Sequence, residues 1–438
     1  MEHFKYGSIG ADTNHQGVPA SLWYALPTVF ADLLPKGPGK GYERLGFVYE
    51  PGHRRPIGTS YREKPIGFVG LNCAVCHTST LRDSPTGAEK IVLGAPPVRF
   101  DLQGYLNFLR ATGHDKRFNA DTLIPAIKKA DPSFSKADEL LYRHYVIPRT
   151  KQALLKVEDD FRWMDVRPRE GPGRVDTFNP YKVLLKIYNP KDKDVGTVDL
   201  PSLWNQRPRV GMHLHWDGNN TSLDERNISA AMGAGATEES LDEPSMARIK
   251  RWIMDLKPLP YPRRRIDAGL ARTGAAIYRG SCATCHAFKG SQTGTVTPVD
   301  GVGTDRERLD SFTPLLARKM NTLGTGKPWR FSHFRKTHGY ANQPLDGLWL
   351  RAPYLHNGSV PDLVSLLRPP AQRPKVFYRG YDVYDYRRVG YVSRGKRARR
   401  VGFRYDTRVR GNGNRGHLYG TDLAPGEKRA LIEYLKTL

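Results

Sequence analysis

Cys73-Ala74-Val75-Cys76-His77 and Cys282-Ala283-Thr284-Cys285-His286 are two copies of one arrangement: two cysteines separated by two residues, with histidine directly after. Together they use all 4 cysteines of the chain. This is the attachment pattern of c-type haem, in which the thiols add across the two vinyl groups and the following imidazole ligates iron from below. Each copy alone also admits a zinc site or a redox dithiol. Zinc ribbons, however, place their Cys pairs about 15–20 residues apart, and here the pairs lie roughly 200 apart. A dithiol does not call for histidine after the second cysteine in both copies. Two covalently attached haems are therefore expected, and no cysteine remains for a structural disulfide.

With 438 residues the chain can bury a large core and form two or three domains. Its 43 glycines and 33 prolines predict long loops joining a modest amount of regular structure. No apolar run reaches the roughly 18 residues of a spanning helix. Because haem attachment to such motifs takes place outside the bacterial cytoplasm, an exported protein, periplasmic or secreted, is expected. Met1-Glu2-His3-Phe4-Lys5 nevertheless shows no signal peptide. The formal charge of +25 favours acidic partners or polyanions and speeds their encounter. Basic residues are spread along the whole chain, and no nucleic-acid module is visible. An acidic redox protein is the partner this charge suggests.

Along the chain, Ser21 to Leu34 reads as a short helix broken near Pro27. Residues 121–165 read as charged helices without recognisable chemistry. Gly171-Pro172-Gly173-Arg174 and Asn189-Pro190 read as loops. Pro244 suits the first turn of a helix with Met246, Ile249, Ile253 and Leu256 on its apolar face. Lys257-Pro258-Leu259-Pro260-Tyr261-Pro262 ends that helix. This predicts an N-terminal haem domain with long insertions at 1–257, a linker at 258–265 and a C-terminal cytochrome c domain at 266–438. In the last of these, a helix from Asp267 carries Leu270, Gly274, Ile277 and Tyr278 on one face. A helix opened by Pro425 carries Leu431, Tyr434, Leu435 and Leu438. Gly274, lacking a side chain, would let the two cross closely. The expected class is mainly α with extensive loops and two cytochrome c-like haem domains.

Several further runs carry a family likeness. These are Asp199-Leu200-Pro201-Ser202-Leu203-Trp204-Asn205, Trp216-Asp217-Gly218, Ala352-Pro353-Tyr354-Leu355-His356-Asn357-Gly358, and Gly420-Thr421-Asp422-Leu423 before the last helix. With the two haem motifs, in this order, the chain resembles the bacterial di-haem cytochrome c peroxidase superfamily, and within it the RoxA-like, rubber-oxygenase-like branch. The resemblance implies a C-terminal haem that relays electrons, an N-terminal haem that meets the oxidant, and a tryptophan between them. Trp216 holds that tryptophan's position; the alternative is a buried indole without redox role. His77 and His286 are the implied proximal ligands.

Peroxidases supply a methionine from the loop before the last helix, but this loop offers His417, which makes a bis-histidine haem of His286 and His417 the expectation. An ordinary loop histidine is the alternative, and His356 is the competing candidate. The removable distal histidine of many peroxidases is not evident, since the first histidine after His77 is His114. The carboxylate that assists peroxide cleavage falls at Ala236, with Glu238 and Glu239 just beyond. The phenylalanine near the oxygen site of rubber oxygenases falls around Ala230-Ala231-Met232. These departures weaken peroxidase chemistry and polyisoprene cleavage alike, and an open haem that binds oxygen suits them better.

The superfamily often holds calcium between its domains. Asp199 matches its side-chain ligand, and the carbonyls of Arg351 and Pro353 match the others; an Asp199 that only caps a turn is the alternative. Of His213 and His215, at most one is expected to face the N-terminal haem. The nine basic residues in 394–415 could pair with haem propionates, dock an acidic partner, or form a solvated loop. The function this implies is an exported di-haem oxidoreductase, peroxidase- or oxygenase-like, that passes electrons from a partner through the bis-His haem to peroxide or dioxygen. The alternative is a pure electron carrier with both irons six-coordinate.

Overall fold

The computed structural model describes residues 1–14, 16–63, 66–189 and 191–438, so Pro190 of the expected Asn189-Pro190 loop lies outside the described residues. Helices joined by long loops predominate, and the strands are two to five residues long, in agreement with a mainly α chain rich in loops. The largest sheet has three antiparallel strands in the order Val18–Pro19, Gly67–Leu71, Thr59–Glu63, with Thr59 opposite Leu71 and Glu63 opposite Gly67. Its central strand runs straight into the first Cys-X-X-Cys-His motif.

The N-terminal core is aromatic. Trp23 stacks on Tyr42 with centroids 4.2 Å apart, and Phe47, Tyr105, Phe108 and Phe118 pack around the pair. The helix expected to break near Pro27 instead runs Ala20–Val29 with Pro27 inside it. Proline has no N–H to offer the carbonyl four residues back, here that of Trp23. The Tyr42 hydroxyl donates to that carbonyl at 2.8 Å instead, so the helix continues for two residues beyond the proline.

Residues 120–161 form the expected helices Ala120–Ala130, Lys136–Leu141 and Ile147–Phe161. Farther along, Asp242 caps the helix Glu243–Ile253 by accepting from the Ser245 N–H, and Met246, Ile249 and Ile253 are buried as expected. Leu256 lies past its end and packs into another core.

The helix Ala268–Ser281, capped by Asp267, crosses the helix Pro425–Leu435 at Gly274. A β-carbon on Gly274 would stand 2.0 Å from the Ala430 carbonyl oxygen, so the glycine permits backbone-to-backbone approach. One element of the expected face is corrected. Leu270 is 36% exposed, and Ala271, Gly274 and Tyr278 line the buried side. The buried stripe is narrower than an apolar count suggests because the close approach is made at Gly274, against the Ala430 carbonyl and Tyr434.

Cores are shared across the 258–265 segment. Leu81, Val92 and Trp204 pack with Tyr278, Trp349, Leu350 and Leu431, and Phe178 and Tyr181 pack with Phe312 and Leu316. An Arg82–Asp382 ion pair and a parallel bridge between Arg82 and Val383 tie the first motif's surroundings to the C-terminal part.

Candidate functional site

Both motifs contain one helical turn, Cys73–Cys76 and Ala283–His286, and only the first has a side-chain cap. Cys73–Cys76 is one helical turn whose start is capped by Asn72, which accepts from the Ala74 N–H at 2.9 Å and donates to the carbonyls of Lys5 and Gly7. His77 then turns its Nδ1 to the Pro201 carbonyl at 2.8 Å, and His286 turns its Nδ1 to the Gln343 carbonyl at 2.8 Å. A carbonyl can only accept, so in each ring Nδ1 carries the proton and Nε2 keeps its lone pair, the form in which imidazole binds metal.

Burial drives both rings toward the neutral form, His77 down to about 4 and His286 below its usual range. The thiols shift the other way: burial pushes Cys73 up to about 11, Cys76 to about 12 and Cys282 to about 11. Reactive dithiols and thiolate metal sites need depressed thiol pKa values. Among the described residues no group of three or more His, Cys, Asp or Glu is gathered for a metal ion. Neither motif is therefore joined by further protein ligands of the kind a zinc site needs.

The two centres differ on the far side of the imidazole. At the second, the ring of His417 stands opposite that of His286, with centroids 6.2 Å apart and planes 38° apart. Two imidazoles bound to one metal through bonds of about 2.0 Å place their centroids a little over ~6 Å apart, and the His286–His417 spacing matches that separation. Burial brings His417 down to about 4, and its Nδ1 is enclosed without a hydrogen-bond partner. The residues present therefore fit a haem iron. At the first centre, among the described residues, no second imidazole ring pairs with His77. His114 is exposed at the end of the helix Leu102–His114.

His417 sits at φ +46, a left-handed conformation, with its N–H on the Val302 carbonyl at 2.7 Å. What holds this loop is a residue that sequence reasoning missed. Buried Arg373 spends all five N–H donors on carbonyls: Arg368 and Leu366 on its own side, and Asn414, Gly416 and His417 in the loop. Burial pulls its pKa down to about 10. An arginine more than 40 positions from the loop carries no local mark of this role.

Trp216 donates its indole N–H to the Asp199 carbonyl at 2.7 Å and packs against Val299, Leu309 and Tyr340. His356, the competitor for the iron, is taken up elsewhere. Its Nε2 lies 3.0 Å from the Tyr340 hydroxyl, and its ring stacks on Tyr340 at 4.2 Å.

His213 turns its Nδ1 to the Gly218 carbonyl, and His215 turns its Nδ1 to Asn219 Oδ1 at 2.6 Å. His215 has φ +62, so the segment is not extended. Burial brings His215 down to about 4. The Arg226 guanidinium, a second residue the sequence did not flag, acts electrostatically on Cys73, His77 and His215 together. It is itself pulled down to about 10 by burial. Ala236 is buried, and Glu238 accepts from the Gly324 N–H at 3.1 Å. In the basic stretch, Gly395–Val401 is a helix whose Lys396, Arg397, Arg399 and Arg400 are exposed.

Asp199, expected to bind calcium, is buried with its carboxylate 2.7 Å from Arg379 Nη2 and 4.0 Å from Arg174 Nε. Calcium takes six to eight oxygens at about 2.3–2.6 Å. Asp199 Oδ1 is buried without a hydrogen-bond partner, so the two guanidinium groups meet it by charge, and their positive charge opposes a further cation there.

Residues 339–378 match the family described as RoxA-like, cytochrome c-like, the branch the motifs resemble. The matched segment contains Gln343, His356 and Arg373. Over 501 aligned positions the chain is 25% identical to the uncharacterized protein y4iJ of Sinorhizobium fredii (strain NBRC 101917 / NGR234), covering 91% of this chain and 81% of that protein. It is 33% identical over 219 positions to the uncharacterized protein y4iM of the same organism, covering 44% of this chain and 49% of that protein.

Proposed function

We propose, taking the RoxA-like, cytochrome c-like segment as premise, that the chain is an exported di-haem c-type cytochrome with two unequal centres. Cys73 with Cys76 and Cys282 with Cys285 form the thioethers, and His77 and His286 supply the proximal nitrogens. Haem, when bound, would supply one-electron redox chemistry and, where the chain provides one ligand only, a place for a small oxidant. The chain's residues decide which centre does which. His286 and His417 would both hold one haem iron, which would leave little to rearrange between oxidation states. His77 offers a single imidazole, and its far face is left to peroxide or dioxygen. The observation that carries this reading is the 6.2 Å imidazole pair at the second motif; among the described residues no aromatic partner ring stands against His77.

Trp216, fixed through its N–H to Asp199, is the aromatic bridge between the centres. The buried Ala236, where a carboxylate would assist peroxide cleavage by moving a proton between its oxygens, favours dioxygen over peroxide. An acidic redox protein is the fitting electron donor for a chain of charge +25 with an exposed basic helix. No helix among the described residues is long and apolar enough to cross a membrane.

Rapid mixing of the fully reduced protein with dioxygen or peroxide is the test. An absorbance phase whose rate rises with oxidant concentration is expected, followed by a slower one independent of it. A protein that stays reduced against both oxidants would remove the oxidant-reacting centre from the account.

A further inference from the structure

Arg174, Asp199 and Arg379 form a charge cluster that joins distant parts of the chain. Arg174 and Asp199 face each other in a two-residue antiparallel ladder, and Arg379 reaches them from the strand Val376–Arg379. All three are at least 95% buried, and Tyr405, completely buried, lies beneath both guanidinium groups at 4.9 and 5.6 Å. Arg379 donates to the carbonyls of Gly358 and Pro172, each at 3.1 Å. Arg174 donates to the Glu170 carbonyl at 3.0 Å and to Asn412 Oδ1 at 2.8 Å.

The space is shaped for this set. Gly358, at φ +65, would with a β-carbon press to 2.3 Å from Asp199 Oδ1 and 2.0 Å from Arg379 Nη1. Any side chain there would displace the ion pair. The Asp199 backbone is engaged as well: its N–H donates to the His356 carbonyl at 2.8 Å, and its own carbonyl receives the Trp216 indole.

Two cations around one carboxylate leave no attraction for a third. The guanidinium groups oppose the upward push that burial gives the Asp199 carboxyl, and a calcium ion beside them would meet net repulsion. We infer that Arg174 and Arg379 take the place of a metal ion at Asp199. The junction between the N-terminal and C-terminal parts is held by the chain's own cations, and the holoprotein is calcium-independent. This departs from the calcium-bridged arrangement that the superfamily resemblance implies.

The test uses haem-loaded protein purified without added calcium. Metal analysis is expected to find far less than one calcium per chain. The thermal midpoint is expected to be the same in EGTA and in millimolar calcium chloride. Arg379→Met removes one cation and leaves Asp199 underpaired, so its midpoint is expected to fall by roughly 5–10 °C. One calcium per chain, released by EGTA with a falling midpoint, would overturn the inference. So would an Arg379→Met protein as stable as the parent. If Arg379→Met does not fold, metal analysis and chelation of the parent protein decide the question alone.

Discussion

Replacing His417 with alanine is expected to convert the C-terminal haem from low to high spin, removing the low-spin signal of one haem in two. The reason is geometric. The His417 ring is the one placed 6.2 Å from that of His286, and among the described residues no other imidazole ring pairs with His286. His356 is held by its stack on Tyr340 and its contact with the tyrosine hydroxyl. The loop itself is expected to survive, because Arg373 holds it by backbone carbonyls, which alanine at 417 leaves intact. Optical and EPR spectra of the purified ferric variant check this. His356→Ala is the control, expected to keep the low-spin signal. An unchanged low-spin signal in His417→Ala would reject His417 as ligand.

The crossing at Gly274 supports the second large effect. Alanine in a helix interior ordinarily stabilises by about 1 kcal/mol relative to glycine. At Gly274 the added carbon would lie 2.0 Å from the Ala430 oxygen and 2.9 Å from the Tyr434 β-carbon. Neither is the movable end of a flexible side chain, so the helices must separate. Gly274→Ala is expected to lose about 2–3 kcal/mol and to loosen the C-terminal haem's surroundings. Gly280, in the same helix, meets nothing within 4 Å. Gly280→Ala is expected to be neutral or mildly stabilising, by up to about 1 kcal/mol. Thermal unfolding of the two holoproteins would show opposite signs, and equal effects would refute the argument from close approach.

What could be seen in the sequence was mostly local. The haem motifs, the helix with Pro244 in its first turn, the helix from Asp267, the last helix from Pro425 and the role of Gly274 follow from spacing and local signals within a few residues. His417 could be singled out as the histidine of the loop before that last helix. What stayed hidden depends on distant partners. Pro27 is tolerated because Tyr42, 15 positions on, supplies the missing donor. The proximal imidazoles are oriented by the carbonyls of Pro201 and Gln343, and any residue could supply such an acceptor. Arg373 and the Arg174–Asp199–Arg379 cluster were invisible for the same reason: among 69 lysines and arginines, nothing local marks the few that fold inward. Leu270 was misplaced because helical periodicity gives the buried direction but not the width of the buried stripe.

Low-temperature EPR of the fully ferric protein, recorded before and after cyanide, tests the inequality of the two centres most directly. The account predicts two sets of signals. A low-spin set from the centre held by His286 and His417 stays as it was, and the set from the centre held by His77 alone changes when cyanide binds. Two low-spin sets, both indifferent to cyanide, would contradict it and leave a chain that only carries electrons.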